Sequence, residues 1–142
     1  EELLRTSEHN VLIETLQAGK LGLPVAAEPQ HLVHVDGADD GATILHPSVL
    51  ILTKLKRWCH SHESTWPKAV TKCRSDEKDI EFMIYWLLEQ GLTIRFDLYQ
   101  GKERPELLKF VKTYRDKFIE NEDLIKTLQS IVEPPDWSAL DE

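Results

Sequence analysis

The 142-residue sequence lacks any long apolar run. Its longest apolar stretches, such as Val49 to Leu52 and Phe82 to Leu88, are far shorter than the roughly 20 residues of a membrane-spanning helix. The first residues also lack the basic start and the apolar run of a signal peptide. We therefore predict a chain that is not embedded in a membrane and that resides inside the cell, in the cytoplasm or the nucleus.

The common sequence signatures of enzymes and metal sites are also missing. The sequence has no Gly-rich phosphate loop with a lysine, no Gly-x-Ser-x-Gly turn, no Cys-x-x-Cys pair and no His-Glu-x-x-His helix. A disulfide between Cys59 and Cys73 is one alternative, but two reduced thiols are the default inside a cell. His31 and His34 would point to opposite faces of a strand, which disfavours a metal site made by them and Asp36.

Acidic residues outnumber basic ones, and the formal net charge is −8. This balance argues against nonspecific binding to nucleic acid or to an anionic membrane. The segment from Lys54 to Lys78 is the exception, because it holds seven basic residues against three acidic ones. Both a solvated helix face and a surface that binds phosphate or an anionic partner are consistent with such a segment.

Length and composition predict one globular domain over residues 1–142, because 41% hydrophobic and 30% charged residues are ordinary for a folded chain. Residues 1–44 contain two strand-like segments, Val11 to Leu16 and His31 to Val35. Residues 45–142 have helical patterns. The prediction is therefore an α+β fold, with a small sheet followed by three or four helices.

Two helices are well marked in the sequence. Pro47 suits a first helical position and predicts a helix from Pro47 to Cys59. Ser75 is predicted to cap the start of a second helix that Gly91 ends, so residues 61–74 are expected to be a loop or a short helix. The residues expected to be buried on the second helix are Ile80, Ile84 and Leu87.

The last third of the sequence is expected to contain two more helices. One opens near Pro105 and the other spans Asn121 to Ile131, after which Pro134 and Pro135 are expected to end regular structure. The segment from Leu92 to Leu98 is expected to be either an extended segment or a connection into the following helix. The tryptophans expected to pack in the core, rather than to stack on bases, are Trp58, Trp66, Trp86 and Trp137.

Three segments, taken in order, resemble the nucleotidyltransferase-like proteins of fungi and their relatives, the bacterial minimal and abortive-infection nucleotidyltransferases. They are LIETLQAGKLGLP from Leu12, LHPSVLILTKLKRW from Leu45 and KCRSDEKDI from Lys72. The first is similar to the strand and turn that carry the family's third catalytic aspartate. The second is similar to a helix ending in Leu-Lys-Leu-x-x-Trp, and the third to a Lys-x-x-x-Asp-x-x-Asp segment that opens a helix. The resemblance covers residues 11–88, about the C-terminal part of that fold.

The resemblance implies that Glu14 replaces the third aspartate as a catalytic residue and magnesium ligand. It also implies that the nucleoside triphosphate and its cofactor are bound by Lys54, Lys56, Lys72, Asp76 and Asp79. The family's paired aspartates, which hold two magnesium ions, are missing and would lie upstream in a longer protein. The chain alone is thus predicted to transfer no nucleotide, either because its N-terminal partner part is missing or because it is a degenerate copy.

The residues themselves leave other interpretations open. Glu14 is also consistent with a solvent-facing carboxylate on a strand, and Asp76 with a charge that favours a helix start. Asp79 shares a helix face with Asp76 and is equally consistent with a surface role or with binding a Lys or Arg. A small acidic interaction or inhibitor protein, unrelated to nucleotides, is the alternative function. If the nucleotide interpretation holds, Glu14 and the segment from Lys54 to Lys78 are predicted to face one cleft.

Overall fold

The structure, a computed structural model, describes residues 30–32 and 42–142. Two strands, β1 (Gln30–Leu32) and β2 (Ala42–Ile44), pair antiparallel with Gln30 opposite Ile44. The α-helices described after them are α1 (Pro47–Ser61), α2 (Pro67–Glu89), α3 (Arg104–Lys117), α4 (Glu122–Ile131) and α5 (Pro134–Ala139). A 3-10 helix, Phe96–Leu98, lies between α2 and α3. The described part is a helical domain.

The predicted α+β fold is wrong. The two strands have three residues each, and among the described residues they pair with one another alone, whereas a stable sheet layer needs three or more strands or a packed apolar face. The buried apolar cluster of the described part consists of residues from the helices and their connections. After residue 45 the apolar side chains recur at helical spacing, so residues 45–142 supply no strand that would extend the ribbon into a sheet.

The strand predictions fall mostly on residues that the structure does not describe. The strand predicted from His31 to Val35 overlaps β1 at His31 and Leu32. The strand predicted from Val11 to Leu16, together with Glu14, lies outside the described residues.

Helix α1 confirms the helix predicted from Pro47. Proline suits this position because the first helical residues have no intrahelical acceptor for an N–H. The His46 side chain caps the helix, since its Nδ1 accepts a hydrogen bond from the Ser48 N–H at 3.2 Å. The residues that α1 buries are Pro47, Ser48, Val49, Ile51, Leu52, Leu55 and Trp58.

Helix α2 begins nine residues earlier than predicted. It starts at Pro67 after Trp66, so the predicted N-cap Ser75 is an exposed residue inside the helix. Residues 67–74, which belong to the segment expected to be a loop or a short helix, are part of this long helix. Pro67 provides the start signal, and an N-cap preference is worth only about 1 kcal/mol. Cys73 is buried on this first part of α2, and burial of an apolar side chain outweighs that preference.

The C-terminal half of α2 matches its prediction. Ile80, Ile84 and Leu87 are fully buried, as the i, i+4, i+7 pattern indicates. Gly91 has a φ of 67°, a left-handed conformation that glycine adopts without a Cβ clash. The Gly91 N–H bonds the Leu88 carbonyl at 3.0 Å and the Leu92 N–H bonds the Leu87 carbonyl at 2.9 Å. This bonding pattern is a Schellman motif, and it ends the helix.

The last three helices were predicted in part. Helix α3 carries Pro105 in its first turn, and α4 spans the predicted residues, with the Asn121 Oδ1 accepting from the Leu124 N–H at 3.3 Å. The prediction that Pro134 and Pro135 end regular structure is wrong, because both lie in the first turn of α5. Proline is tolerated in a first turn, where its missing N–H would have no partner anyway.

The segment from Leu92 to Leu98, expected to be extended or a connection, lies between α2 and α3 and contains a 3-10 helix over its last three residues. Among the tryptophans, Trp58 lies in the core, and Trp86 and Trp137 pack against it as partly buried side chains. Trp66 is exposed at the N-cap of α2, so the core prediction is wrong for that residue.

Candidate functional site

Four charged side chains join α1 to α2, and we call them the clasp: Lys54, Arg57, Asp76 and Asp79. The Arg57 guanidinium donates through Nε to Asp76 Oδ2 at 2.8 Å and through Nη2 to Asp76 Oδ1. The Lys54 Nζ donates to Asp79 Oδ2 at 2.7 Å and lies 3.6 Å from Asp76 Oδ1. The clasp therefore contains two cations and two anions in mutual contact.

Burial differs sharply within the clasp. The Asp76 side chain is 1% exposed, whereas the side chains of Arg57 and Asp79 are 43% and 48% exposed. The hydrogen bond from Arg57 to Asp76 raises the pKa of the Arg57 guanidinium, because it stabilises the charged form. A bidentate contact of this kind is among the strongest ion pairs in proteins, so the clasp acts as a structural link between the two helices.

The clasp unites three of the residues that the sequence implicated in nucleotide binding. Lys54, Asp76 and Asp79 lie together, and Lys72 lies one helical turn before Asp76. Lys56 is partly buried on α1. Within the clasp the Lys54 ammonium already contacts two carboxylates, so a phosphate would have to displace them. The position of Asp76, in the middle of α2 and paired with Arg57, also replaces its predicted role at a helix start.

Glu77 extends the link between α1 and α2 on the neighbouring side. Its Oε1 accepts from the Trp58 Nε1 at 3.0 Å and from the Cys73 Sγ at 3.7 Å. A buried indole N–H needs such an acceptor. Glu77 therefore satisfies the indole N–H of the core Trp58. The sequence did not indicate this hydrogen bond, because the two residues are 19 positions apart.

Both cysteines are free, and neither is activated as a nucleophile. Burial raises the pKa of the Cys59 thiol from 9.0 to about 11, and burial together with nearby Glu77 raises the pKa of Cys73. Because the thiolate is the reactive form, thiols with raised pKa values are poor nucleophiles at neutral pH.

No group of three or more His, Cys, Asp or Glu side chains is placed to hold a metal ion among the described residues. Asp76 and Asp79 contact cationic side chains instead. The implied magnesium ligand Glu14, and the possible ligands His34 and Asp36, lie outside the described residues. Asp76 and Asp79 are therefore already occupied by lysine and arginine side chains.

The basic residues between Lys54 and Lys78 do not form one wall. At about 100° per residue, Lys72 falls on the flank of α2 next to the clasp, Lys78 on the side opposite the core and Arg74 on the far flank. Lys68 and Lys72 border a shallow groove with Pro67, Thr71 and Ser75. Lys54 and Arg57, on α1, are directed at the clasp carboxylates. The positive charge of this segment is therefore distributed over different sides of α1 and α2.

The side of α2 opposite the core, which we call the outer face, consists of Lys78, Phe82, Tyr85 and Glu89. Phe82 is 69% exposed, and Tyr85 is exposed beside it. Adjacent exposed apolar side chains form a patch, and an apolar patch rimmed by polar residues is typical of an interaction surface. The sequence contained the signal, because the buried set Ile80, Ile84 and Leu87 leaves Phe82 and Tyr85 on the opposite side.

Comparison with known protein families, with curated proteins and with solved structures finds no match for this chain. The resemblance to nucleotidyltransferases therefore stays a prediction based on three sequence segments. None of the helices in the described part is both long and apolar enough to cross a membrane.

Proposed function

We propose that this chain is a non-catalytic protein-binding domain whose partner contacts the outer face of α2. The exposure of Phe82 is the observation that carries the proposal. Removing a phenylalanine side chain from water contributes about 1.5–3 kcal/mol, and aromatic residues that lie at the centre of an interface are frequent hot spots. The opposite side of α2 is buried in the core, so the helix holds the outer face rigidly.

The clasp argues against catalysis by the described residues. Lys54 and Arg57 neutralise Asp76 and Asp79, so the clasp itself offers no free pair of carboxylates for two-metal chemistry. The two thiols have raised pKa values. The proposal therefore favours the interaction function over the enzymatic one.

The outer face also indicates the chemistry of its partner. Phe82 and Tyr85 form an apolar centre, with Lys78 at one end and Glu89 at the other. A complementary surface has an apolar centre, an acidic group near Lys78 and a basic group near Glu89.

Site-specific photocrosslinking in the cells that make the protein tests this proposal. A benzoylphenylalanine at position 82 is expected to form a discrete protein adduct that Tyr85→Asp abolishes. The matched control carries the same photoreactive residue at exposed Glu120, which lies between α3 and α4, and is expected to give no such adduct. Equal labelling from both positions, or no adduct at position 82, would contradict the proposal.

A second candidate function keeps the nucleotide prediction in a weaker form. Lys68 and Lys72 are exposed one turn apart beside the hydroxyl groups of Thr71 and Ser75, and neither lysine forms an ion pair within the described residues. Two exposed lysines attract a polyphosphate weakly, and salt screens the attraction. This surface would bind a nucleoside triphosphate without transferring it.

Titration with labelled nucleoside triphosphate and magnesium tests the second candidate. Binding is expected to weaken as salt rises and to be lost in Lys68→Gln/Lys72→Gln, whereas Lys117→Gln on α3 is the matched control. The pure chain is expected to incorporate no label into any acceptor. Binding that is unaffected by the double substitution would exclude this surface, and metal-dependent incorporation would refute the non-catalytic proposal.

A further inference from the structure

We infer that the outer face of α2 binds the same face of a second copy of this chain, with the two α2 helices antiparallel. The inference rests on the proposed function, because it identifies the partner of the same surface. The observation behind it is a symmetry in the sequence of the outer face. Lys78 precedes Phe82 by four residues, and Glu89 follows Tyr85 by four residues.

An antiparallel pair of helices turns this symmetry into matched contacts. When the two-fold axis passes between Phe82 and Tyr85, Phe82 of each copy lies opposite Tyr85 of the other. The same register places Lys78 opposite Glu89 at both ends of the contact. An isologous dimer requires such self-complementarity, because its two-fold symmetry makes every contact between two different residues occur twice.

The charges also select the direction of pairing. A parallel arrangement in register would bring Lys78 next to Lys78 and Glu89 next to Glu89, and like charges at close range oppose association. In the antiparallel arrangement each of these charges meets its opposite. The sign pattern along the outer face therefore favours antiparallel pairing and disfavours the parallel alternative.

The groups that this contact needs are available. Neither Lys78 nor Glu89 takes part in an ion pair within the described part of the chain, and both side chains are exposed. Leu88 is exposed at the edge of the outer face and adds apolar surface there. The contact requires no rearrangement of the core, because α2 already presents these side chains outward.

Sedimentation equilibrium of the whole chain, over a range of micromolar concentrations, tests the inference. We expect a monomer–dimer equilibrium whose dissociation constant rises at least about tenfold in Phe82→Asp, because an aromatic residue at the centre of an interface is usually a hot spot. Lys117→Glu, which changes the same charge as the Lys78 variant below but on exposed α3 surface, is expected to leave the constant unchanged. Circular dichroism and the thermal midpoint of each monomer show that the variants fold.

Charge reversal distinguishes a second copy from any other partner. Lys78→Glu and Glu89→Lys are each expected to weaken the dimer, because each creates two like-charge contacts. The K78E/E89K double variant restores both contacts with inverted signs, and an equimolar mixture of the two single variants restores them between different chains. Both are expected to return the dissociation constant to near the original value.

A chain that stays monomeric at all concentrations, or single variants that neither the double substitution nor mixing rescues, would overturn the inference. A monomeric chain whose photoreactive residue at position 82 cross-links to a different protein would overturn the inference while keeping the proposed function. A chain that stays monomeric and that also gives no adduct from position 82 would contradict both the dimer inference and the proposed function.

Discussion

At the residue scale, the clasp is asymmetric. Asp76 is almost fully shielded from water, whereas Arg57 keeps 43% of its side chain exposed. A buried carboxylate that loses its partner is left without compensation, but an exposed guanidinium that loses its partner can return to water. The two halves of one ion pair should therefore tolerate substitution very differently.

Arg57→Met is expected to lower the free energy of unfolding by about 2–4 kcal/mol, because it strands the Asp76 carboxylate with only Lys54 nearby. Asp76→Asn should lower it by only about 1 kcal/mol, since the amide keeps hydrogen-bonding capacity at the buried position. Urea unfolding of the purified variants measures both values.

The Arg57→Met/Asp76→Asn double variant completes the test and should be more stable than Arg57→Met alone. Arg95→Met provides the control, since its partner Asp97 and Arg95 itself are both exposed, and it should change stability by less than about 1 kcal/mol. A loss from Asp76→Asn that equals the loss from Arg57→Met would show that burial does not decide the effect.

Cys59 gives a prediction about pH. Its thiol pKa is raised to about 11 in the folded chain from an ordinary 9.0, so the folded state retains a proton that the unfolded state releases. The stabilising effect of this difference is present below pH 9 and is lost as pH rises toward about 11. In a Cys73→Ala variant, alkylation of Cys59 by iodoacetamide is expected to reach its half-maximal rate near pH 11. A half-maximal rate near pH 9 would show that the thiol is not shielded.

At the element scale, helix positions followed from the sequence more reliably than helix ends. The apolar spacing identified α1, α3 and α4 because it reflects the burial of one helix face. The start of α2 was predicted wrongly because Ser75 is a favourable N-cap residue by local preference but lies inside the helix. Helix α5 was missed because Pro134 and Pro135 were interpreted as ending regular structure, whereas they lie in its first turn. A proline permits a helix start as readily as it prevents a helix interior, and tertiary packing decides between the two.

Two side-chain truncations distinguish a true N-cap from a false one. Asn121→Ala should lower the free energy of unfolding by about 1 kcal/mol, because it removes the acceptor for the Leu124 N–H. Ser75→Ala should leave stability unchanged or raise it by about 0.5 kcal/mol, because Ser75 is an exposed residue inside α2 and alanine is the better helix former. Chemical denaturation measures both, and a cost at Ser75 similar to that at Asn121 would contradict the position of the helix start.

At the scale of the whole molecule, the helices share one buried cluster, which extends from Val49 in α1 to Leu140 just after α5. The segment after α2 is fixed to the end of α4, because the Ile94 N–H donates to the Ile131 carbonyl at 2.7 Å. Helix α5 is fixed to α3 by the Arg104 guanidinium, which donates to both oxygens of Asp136 at 2.7 and 2.6 Å. These links predict that the helices unfold together.

Single-tryptophan variants test this cooperativity. One variant keeps only Trp58 in α1 and the other keeps only Trp137 in α5, with phenylalanine at the other tryptophan positions. Within each variant, fluorescence and far-ultraviolet circular dichroism should give the same urea midpoint, as a two-state transition requires. A separate early transition at Trp137 would show that α5 opens independently.

Only part of the candidate site could be predicted from the sequence. The spacing of Asp76 and Asp79 placed both on one helix face and allowed a lysine or arginine partner, which the structure supplies as Arg57 and Lys54. Neither the pairing of α1 with α2 nor the burial of Asp76 follows from local patterns, because both depend on how the two helices pack. We made no prediction from the sequence for Phe82 and Tyr85, although the buried set Ile80, Ile84 and Leu87 already places them on the opposite side of the helix.

The burial of Asp76 also restricts the order in which this sequence can change over generations. A lineage that loses Arg57 first must pass through a chain whose buried Asp76 carboxylate keeps only the 3.6 Å contact with Lys54, and about 2–4 kcal/mol is a large part of the stability of a small domain. A lineage that loses the acid first passes through a chain whose arginine is merely hydrated. Relatives of this chain should therefore include some with a basic residue at position 57 and a neutral one at position 76, and the reverse combination should be absent among them.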